Sequence, residues 1–394
     1  LKFLIIKTPD SVFRILSFLT FLSASLLAWS NDGVFYVNGN HLVPVQETDI
    51  SLTREVLSIS LCDDGYAKVD VLYTLTNPGR EKVVTMGFEA GAPYNDYDVP
   101  FSHQGIHPYI SDFTVEMNGT PLAYMNAVVK SDYNTLCDFL PLDLSRWKSF
   151  GETKMRDGED LPHDAMLYNT ALDSLINFSY AYYFVARFVH GQNTVHHTYR
   201  YRMSMGVGRT FEVPYWLLPA MRWANRQIDD FTLRISTPST AKHFFLSDSL
   251  FTQASFVITE GTGKIRQTKQ WDENCTEIVL RNGTVEWHAL GFQPKAEMTI
   301  QSAERLYYDH FILGTFYDRS DNYIPGSFVF EPDKTGHTRR ILHNLPYAHR
   351  GYVFKDKKLQ KYFSQFFWYM PDPAWQPSTA DFTPREWKLI NQEQ

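Results

Sequence analysis

The chain has 394 residues, 44% of them hydrophobic, and carries 37 Lys and Arg against 44 Asp and Glu, a net charge of −7. That acidity speaks against nucleic acid as a partner of the whole chain, because such proteins neutralise phosphates with clustered basic residues. The length exceeds the roughly 250–300 residues that one hydrophobic core organises, so two or three domains are expected.

Residues 1–30 read as a secretory signal peptide. Lys2, Lys7 and Arg14 precede an uncharged apolar run from Ile15 to Ala28, and Ala28-Trp29-Ser30 supplies small residues for cleavage before Asn31. The run falls short of the roughly 20 residues that spanning a bilayer needs, which leaves an uncleaved anchor as the alternative. No Cys follows it, against lipoprotein processing. The expectation is an exported, periplasmic or extracellular protein with no transmembrane helix in the mature chain. Without residues 1–30 the net charge is −9, and it is unevenly spread: residues 337–394 carry +4 and the rest −13. A basic segment on an acidic body points to an anionic polymer or surface, or to docking within the molecule. Cys62, Cys137 and Cys275 allow one disulfide or none, and their spacing fits no zinc site.

From 54 to 128 the hydrophobic period is two. Leu57, Ile59 and Leu61 alternate with Ser58 and Ser60; Val69, Val71, Tyr73 and Leu75 alternate with polar residues. Phe113, Val115 and Met117 lead into Asn118-Gly119, a strong hairpin signal. Residues 129–176 break the pattern. They read as an excursion whose helix covers 164–176, with Ala171, Leu172, Leu175 and Ile176 as its apolar stripe. The β pattern returns at 179–189 and 194–204. It continues at 231–236, 255–259, 276–280, 285–290 and 298–301, with a second hairpin predicted at Asn282-Gly283. A short helix is expected within 217–226. The fold class predicted is mainly β: an antiparallel β-sandwich body of one or two sandwiches over 31–302, with a helical insertion, and a small α-helical C-terminal module.

Residues 303–336 read as a connector, and 337–394 change period again. Asp356 caps a helix with Leu359, Tyr362 and Phe363 on one face, and Thr383-Pro384-Arg385-Glu386 has the form of a capping box. Gly351 is expected at a helix C-terminal cap or a close backbone contact.

Residues 347–354, Tyr-Ala-His-Arg-Gly-Tyr-Val-Phe, together with 359–363 and Trp368-Tyr369-Met370-Pro371, resemble the YARHG domain. The naming motif departs in one respect: His349-Arg350 stands where the family has Arg then His. The resemblance covers about 55 residues and implies an extracellular helical module without an assigned activity. Residues 31–302 more loosely resemble exported bacterial domains of unknown function, through Asn31-Asp32-Gly33, Thr76-Asn77-Pro78, Asn118-Gly119, Tyr215-Trp216-Leu217, Trp223 and Ile228.

Catalytic signals are weak. His103 and His107 have helical metal-pair spacing, but Gly105 and Pro108 oppose a helix there. His196 and His197 are adjacent on a strand and point to opposite faces. Gly261-Thr262-Gly263-Lys264 lacks phosphate-loop spacing and reads as a turn. No cofactor or metal is called for. The remaining candidate is the C-terminal segment. Trp368, Tyr369 and Trp375, beside Pro371 and Pro373, offer a sugar-stacking platform, and Arg350, Lys355, Lys357, Lys358 and Lys361 offer charge for an anionic glycan. The competing account makes the aromatics core and the lysines a solvated helix face. The function expected is a non-catalytic envelope protein that binds cell-wall glycan, another cell-wall polymer or an envelope protein. The alternative is an exported hydrolase with its site in 129–176 or 215–223.

Overall fold

The computed structural model describes residues 33–34, 38–44, 49–93, 101–130, 141–149, 166–169, 171–172, 174–206, 210–238, 240–270, 273–303, 337–382 and 384–391. The signal-peptide reading, Cys137 and nearly all of the connector lie outside them, as does most of the excursion.

The described strands, in chain order, are β1 (Gly33–Val34), β2 (Asn38–Pro44), β3 (Ser51–Leu61), β4 (Tyr66–Asn77), β5 (Lys82–Gly91), β6 (Ile110–Met117), β7 (Thr120–Pro121), β8 (Met125–Lys130), β9 (Lys148–Ser149) and β10 (Met166–Asn169). They continue with β11 (Ser174–Phe188), β12 (Gly191–Arg202), β13 (Met205–Gly206), β14 (Glu212–Tyr215), β15 (Ile228–Thr237), β16 (Lys242–Ser247), β17 (Val257–Gln270), β18 (Glu273–Phe292) and β19 (Met298–Ser302). The helices are α1 (His337–His349), α2 (Lys357–Phe363) and α3 (Pro384–Asn391), and a 3-10 turn spans Leu218–Arg222.

The fold is mainly β. The larger sheet has the order β14-β19-β16-β18-β15-β3-β4-β12-β6-β7, with β17 added beside β18. The smaller is β2-β5-β11-β10-β9, with β8 also on β11. Among the described strands, every pairing is antiparallel except β15 with β3, where Leu233 opposes Leu57 in parallel register. The alternation in sequence becomes the two faces of the large sheet. On β12, Val195, His197, Tyr199 and Tyr201 are buried, while His196, Thr198 and Arg200 lie on the more open face. The sheets meet through aromatic rings: Phe88 of β5 lies 4.7 Å from Tyr199 of β12, and Tyr182 of β11 lies 4.9 Å from Phe113 of β6. Each such ring fully withdrawn from water contributes about 1.5–3 kcal/mol.

Three local expectations are overturned. The first is the helix over 164–176. Met166 to Asn169 pair with Asn177 to Ser174 as a β-hairpin, and Asn169 Oδ1 accepts the amides of Ala171 and Leu172, at 3.0 and 3.2 Å. That side-chain turn supplies locally what a helix would otherwise supply to these amides. The described part of the excursion is therefore strand and turn rather than a helical insertion. The second is the Asn282-Gly283 hairpin. β18 runs straight through it, with Asn282 at φ +44°. Three strands pair along its length: β15 with 283–292, β16 with 275–280, and β17 with 273–286. Doubling back at 282 would break these ladders. The run 261–264 likewise lies inside β17, beside a register shift between Glu260 and Thr262, and is not a turn. Asn118-Gly119, by contrast, does join β6 to β7, at φ +51° and +76°.

Candidate functional site: the docked C-terminal module

Residues 275–280 of β18 are buried without alternation, whereas the half from 283 onward alternates. A strand covered on one face alternates; one covered on both does not. Ile278 and Leu280 enter the main core, while Val279 joins a second core with Ile341, Leu345, Ala348, Phe354, Leu359 and Phe363 of the C-terminal segment. The segment is therefore packed on the outer face of β16, β17 and β18.

Register decides which body residues meet it. Val279 is opposite His243 on one side and Lys264 on the other; Glu277 is opposite Phe245 and Arg266. Lys264 Nζ donates to the carbonyls of Tyr369 (2.7 Å) and Phe367 (3.4 Å). Arg281 Nη2 donates to Met370 O at 2.5 Å, and its Nη1 lies 3.2 Å from Asp372 Oδ2. Arg266 lies over the Phe367 ring at 4.3 Å. Glu277, with no exposed side-chain surface, bridges His243 Nε2 (2.7 Å) and Arg266 Nε (2.5 Å) beneath the contact. A buried carboxylate is tolerated when paired in this way.

The 347–351 run lies at this seam. Ala348 is buried, and the His349 ring meets Trp368 edge-on at 4.6 Å. Arg350 forms a two-pronged pair with Glu386 (2.8 and 3.0 Å), donates to Pro346 O (3.0 Å) and to Asp381 O, and stacks over Phe382 at 4.6 Å. Glu386 is thus held by Arg350; the capping box expected at 383–386 includes Thr383, which lies outside the described residues. A capping box does form one turn earlier, between Ser378 and Asp381. Gly351 ends α1 at φ +82° and donates to Ala348 O at 2.9 Å. It is both a helix cap and a close backbone contact.

The residues singled out from sequence separate into two groups. Trp368 and Tyr369 are core, at 8% and 1% exposure, and Tyr369 OH donates to Tyr352 O at 2.6 Å. Trp375 is half-buried against Tyr352 and Phe382. Trp368 and Tyr369 have little surface left for stacking a sugar, because a module this small needs its aromatics for its own core. Arg350 is likewise engaged internally. Lys355, Lys357, Lys358 and Lys361 are exposed and make no ion pair among the described residues. Asp356 begins their helix by accepting the amides of Lys358 (2.8 Å) and Leu359 (3.1 Å). Sequence reasoning missed the body side of the seam, His243, Lys264, Arg266, Glu277 and Arg281. Its one trace was the unalternating Ile278-Val279-Leu280 stretch.

The other candidates lie on the body. His107 is buried, with Nε2 3.1 Å from Gly91 O and Nδ1 accepting from Tyr109 N at 3.1 Å; burial lowers its pKa to about 3. His196 lies between Asp70 (3.1 Å) and Glu116 (3.2 Å) on the open sheet face, while His197 is in the core. In 215–223, Tyr215, Leu217, Ala220 and Trp223 are buried, and Tyr215 OH donates to the enclosed Glu55 at 3.3 Å. Cys62 and Cys275 are unbridged thiols. No helix among the described residues is long and apolar enough to cross a membrane.

Comparison with curated proteins returns no match. Among solved structures, a candidate nutrient-binding protein from Legionella pneumophila is 18% identical, with 92% of this chain and 99% of that one covered and a TM-score of 0.53. This shows a shared fold over nearly the whole length. An M1 zinc metallopeptidase from Deinococcus radiodurans, 9% identical over 77% of this chain and 54% of that one, reaches a TM-score of only 0.23 and carries no argument. A sequence model of the YARHG domain matches residues 332–393, and the C-terminal segment docked on β16–β18 is therefore the YARHG portion of the chain.

Proposed function

We propose that the protein is an exported, non-catalytic binding protein whose docked C-terminal module holds an acidic cell-wall glycan through the lysine face of α2. The observation that carries this is a contrast in how charge is used. Arg340 is paired with Asp356, Arg350 with Glu386, and Arg281 with Asp372, whereas Lys355, Lys357, Lys358 and Lys361 are left to solvent. Lys357, Lys358 and Lys361 share one turn and a half of helix, a density of positive charge that suits a polyanion. The match to a domain of exported proteins supports the compartment. The description of the Legionella protein as nutrient-binding is in keeping with a binding role.

The test is co-sedimentation of the mature chain with purified peptidoglycan sacculi. Retention is expected to fall as salt rises, since exposed charges are screened over about 10 Å at 0.1 M. Replacing the four lysines by Gln abolishes retention and leaves the unfolding midpoint unchanged. Retention indifferent to both salt and substitution would refute the reading.

A further inference from the structure

On the body, away from α2, a pocket of about 250 Å³ opens between the end of β16, the start of β18 and the start of β19. Its buried residues are Leu250, Phe251 and Met298, and its polar side includes Ser247, Glu273 and Glu297. Among the described residues its lining contains no Lys, Arg or His. Glu297 is fixed in an unusual way: Oε2 accepts the backbone amides of Leu217 (2.5 Å) and Leu218 (3.2 Å) where the chain enters the 3-10 turn. Its other oxygen has no partner among the described residues. The carboxylate is therefore held rigid by one oxygen and left with an unused acceptor, while Glu273 stands exposed on the same pocket.

We propose that this pocket is a binding site for a small organic cation, an amine bearing an apolar or hydroxylated body. Two carboxylates without a basic counterpart favour positive charge, and preorganisation of Glu297 by the two amides means little ordering is lost on binding. The apolar residues and the Ser247 hydroxyl suit the body of such a ligand. The volume lies below the roughly 300–1,000 Å³ of sites for drug-sized ligands, so the ligand is of ethanolamine to amino-sugar size. Partial burial raises the Glu297 carboxyl above its ordinary range, against the pull of the two amides. An ammonium group would reverse that shift by favouring the ionised form.

The experiment is calorimetric titration of the full chain with ethanolamine, putrescine and D-glucosamine, with D-glucose as the neutral counterpart of the last. At least one amine is expected to bind saturably, and glucosamine more tightly than glucose. E273Q and E297Q each weaken amine binding by about tenfold, the loss of one charge-assisted contact. E297Q keeps an acceptor for the Leu217 and Leu218 amides, and E273Q alters an exposed side chain, so both variants should fold; unchanged unfolding midpoints verify this. No saturable binding by any of the three amines, equal affinity for glucosamine and glucose, or undiminished binding in both variants overturns the proposal. These outcomes are separate from the peptidoglycan test, which reads α2.

Discussion

Gly351 and Arg281 touch across the seam between the C-terminal module and the body: a methyl group on Gly351 would lie 2.6 Å from Arg281 Nη2 and would overlap Met370 O. The same glycine sits at φ +82° and accepts the amide of Asp372 at 2.7 Å, while Asp372 pairs with Arg281. One residue thus ends α1, receives the returning chain and leaves room for the arginine that fastens the module.

G351A is therefore expected to loosen the module. The left-handed conformation costs a residue with a Cβ about 1–2 kcal/mol, and the overlap with backbone adds to it. Limited proteolysis of wild type and variant is the measurement. Faster release of a fragment beginning near residue 337, with the body intact, is the expected outcome; identical cleavage rates would contradict it.

R350A should destabilise the module by about 3–5 kcal/mol, because Glu386 is 7% exposed and would lose the two-pronged pair with Arg350. R350K should recover only part of this, since an ammonium cannot form the two-pronged pair and lie over Phe382 at once. Urea unfolding monitored by tryptophan fluorescence separates the three proteins. Equal midpoints for R350K and wild type would show that charge alone suffices.

Glu55 predicts a pH dependence. It lies on β3 with no exposed surface, Oε1 accepting from Tyr215 OH at 3.3 Å and Oε2 without a hydrogen-bond partner among the described residues; Tyr215 in turn is 3.2 Å from Tyr73 OH. Burial raises its pKa from 4.5 to about 8, against the smaller opposing effect of the Tyr215 hydrogen bond. The folded state therefore holds the proton more tightly than the unfolded chain. Its contribution to stability is full below about pH 4.5 and is lost as pH rises toward about 8. E55Q, which stays neutral, should show a flatter stability profile over that window, with the largest gain over wild type at the alkaline end. A wild-type and variant pair with parallel profiles would remove Glu55 as the cause.

Gly283 carries the fourth prediction. β17 and β18 approach so closely at the bulge that a Cβ there would overlap Glu260 O and lie 2.9 Å from Gly261 Cα. G283A should cost about 1–3 kcal/mol, the usual cost of forcing extra volume into packed structure. A denaturation midpoint equal to wild type would mean that the bulge relaxes freely.

The mainly β body was legible in the sequence because burial of one sheet face imposes period two. Leu57, Ile59 and Leu61 on β3, and Val195, Tyr199 and Tyr201 on β12, could alternate only if one side faced the core. Asn118-Gly119 was legible for a local reason, since both residues adopt positive φ in a tight turn. Asp356, whose side chain caps α2, and Gly351, at φ +82°, were readable as helix punctuation because a cap is set by its immediate neighbours. Local chemistry misled where a distant strand competed with it. Asn282-Gly283 has the residues of a turn, but β15, β16 and β17 hold β18 extended through it. The apolar stripe at 171–176 resembles a helix, but β11 is paired with β5 and β8 from Phe178 onward, and its first residues with β10.

The candidate sites divide along the same line. Composition and spacing alone identified the lysines at 355, 357, 358 and 361 as a charged cluster on a short helix. Only the tertiary structure decided that Arg350 is committed to Glu386, that Trp368 and Tyr369 are core, and that the module is fastened to the body by Lys264 and Arg281. It also brought Glu297 to the amides of Leu217 and Leu218, some 80 residues away in sequence. The physical reason is range. Period, caps and turns are set by neighbours within a few residues, whereas whether a charge is paired or a ring is covered depends on which distant strand lies beside it.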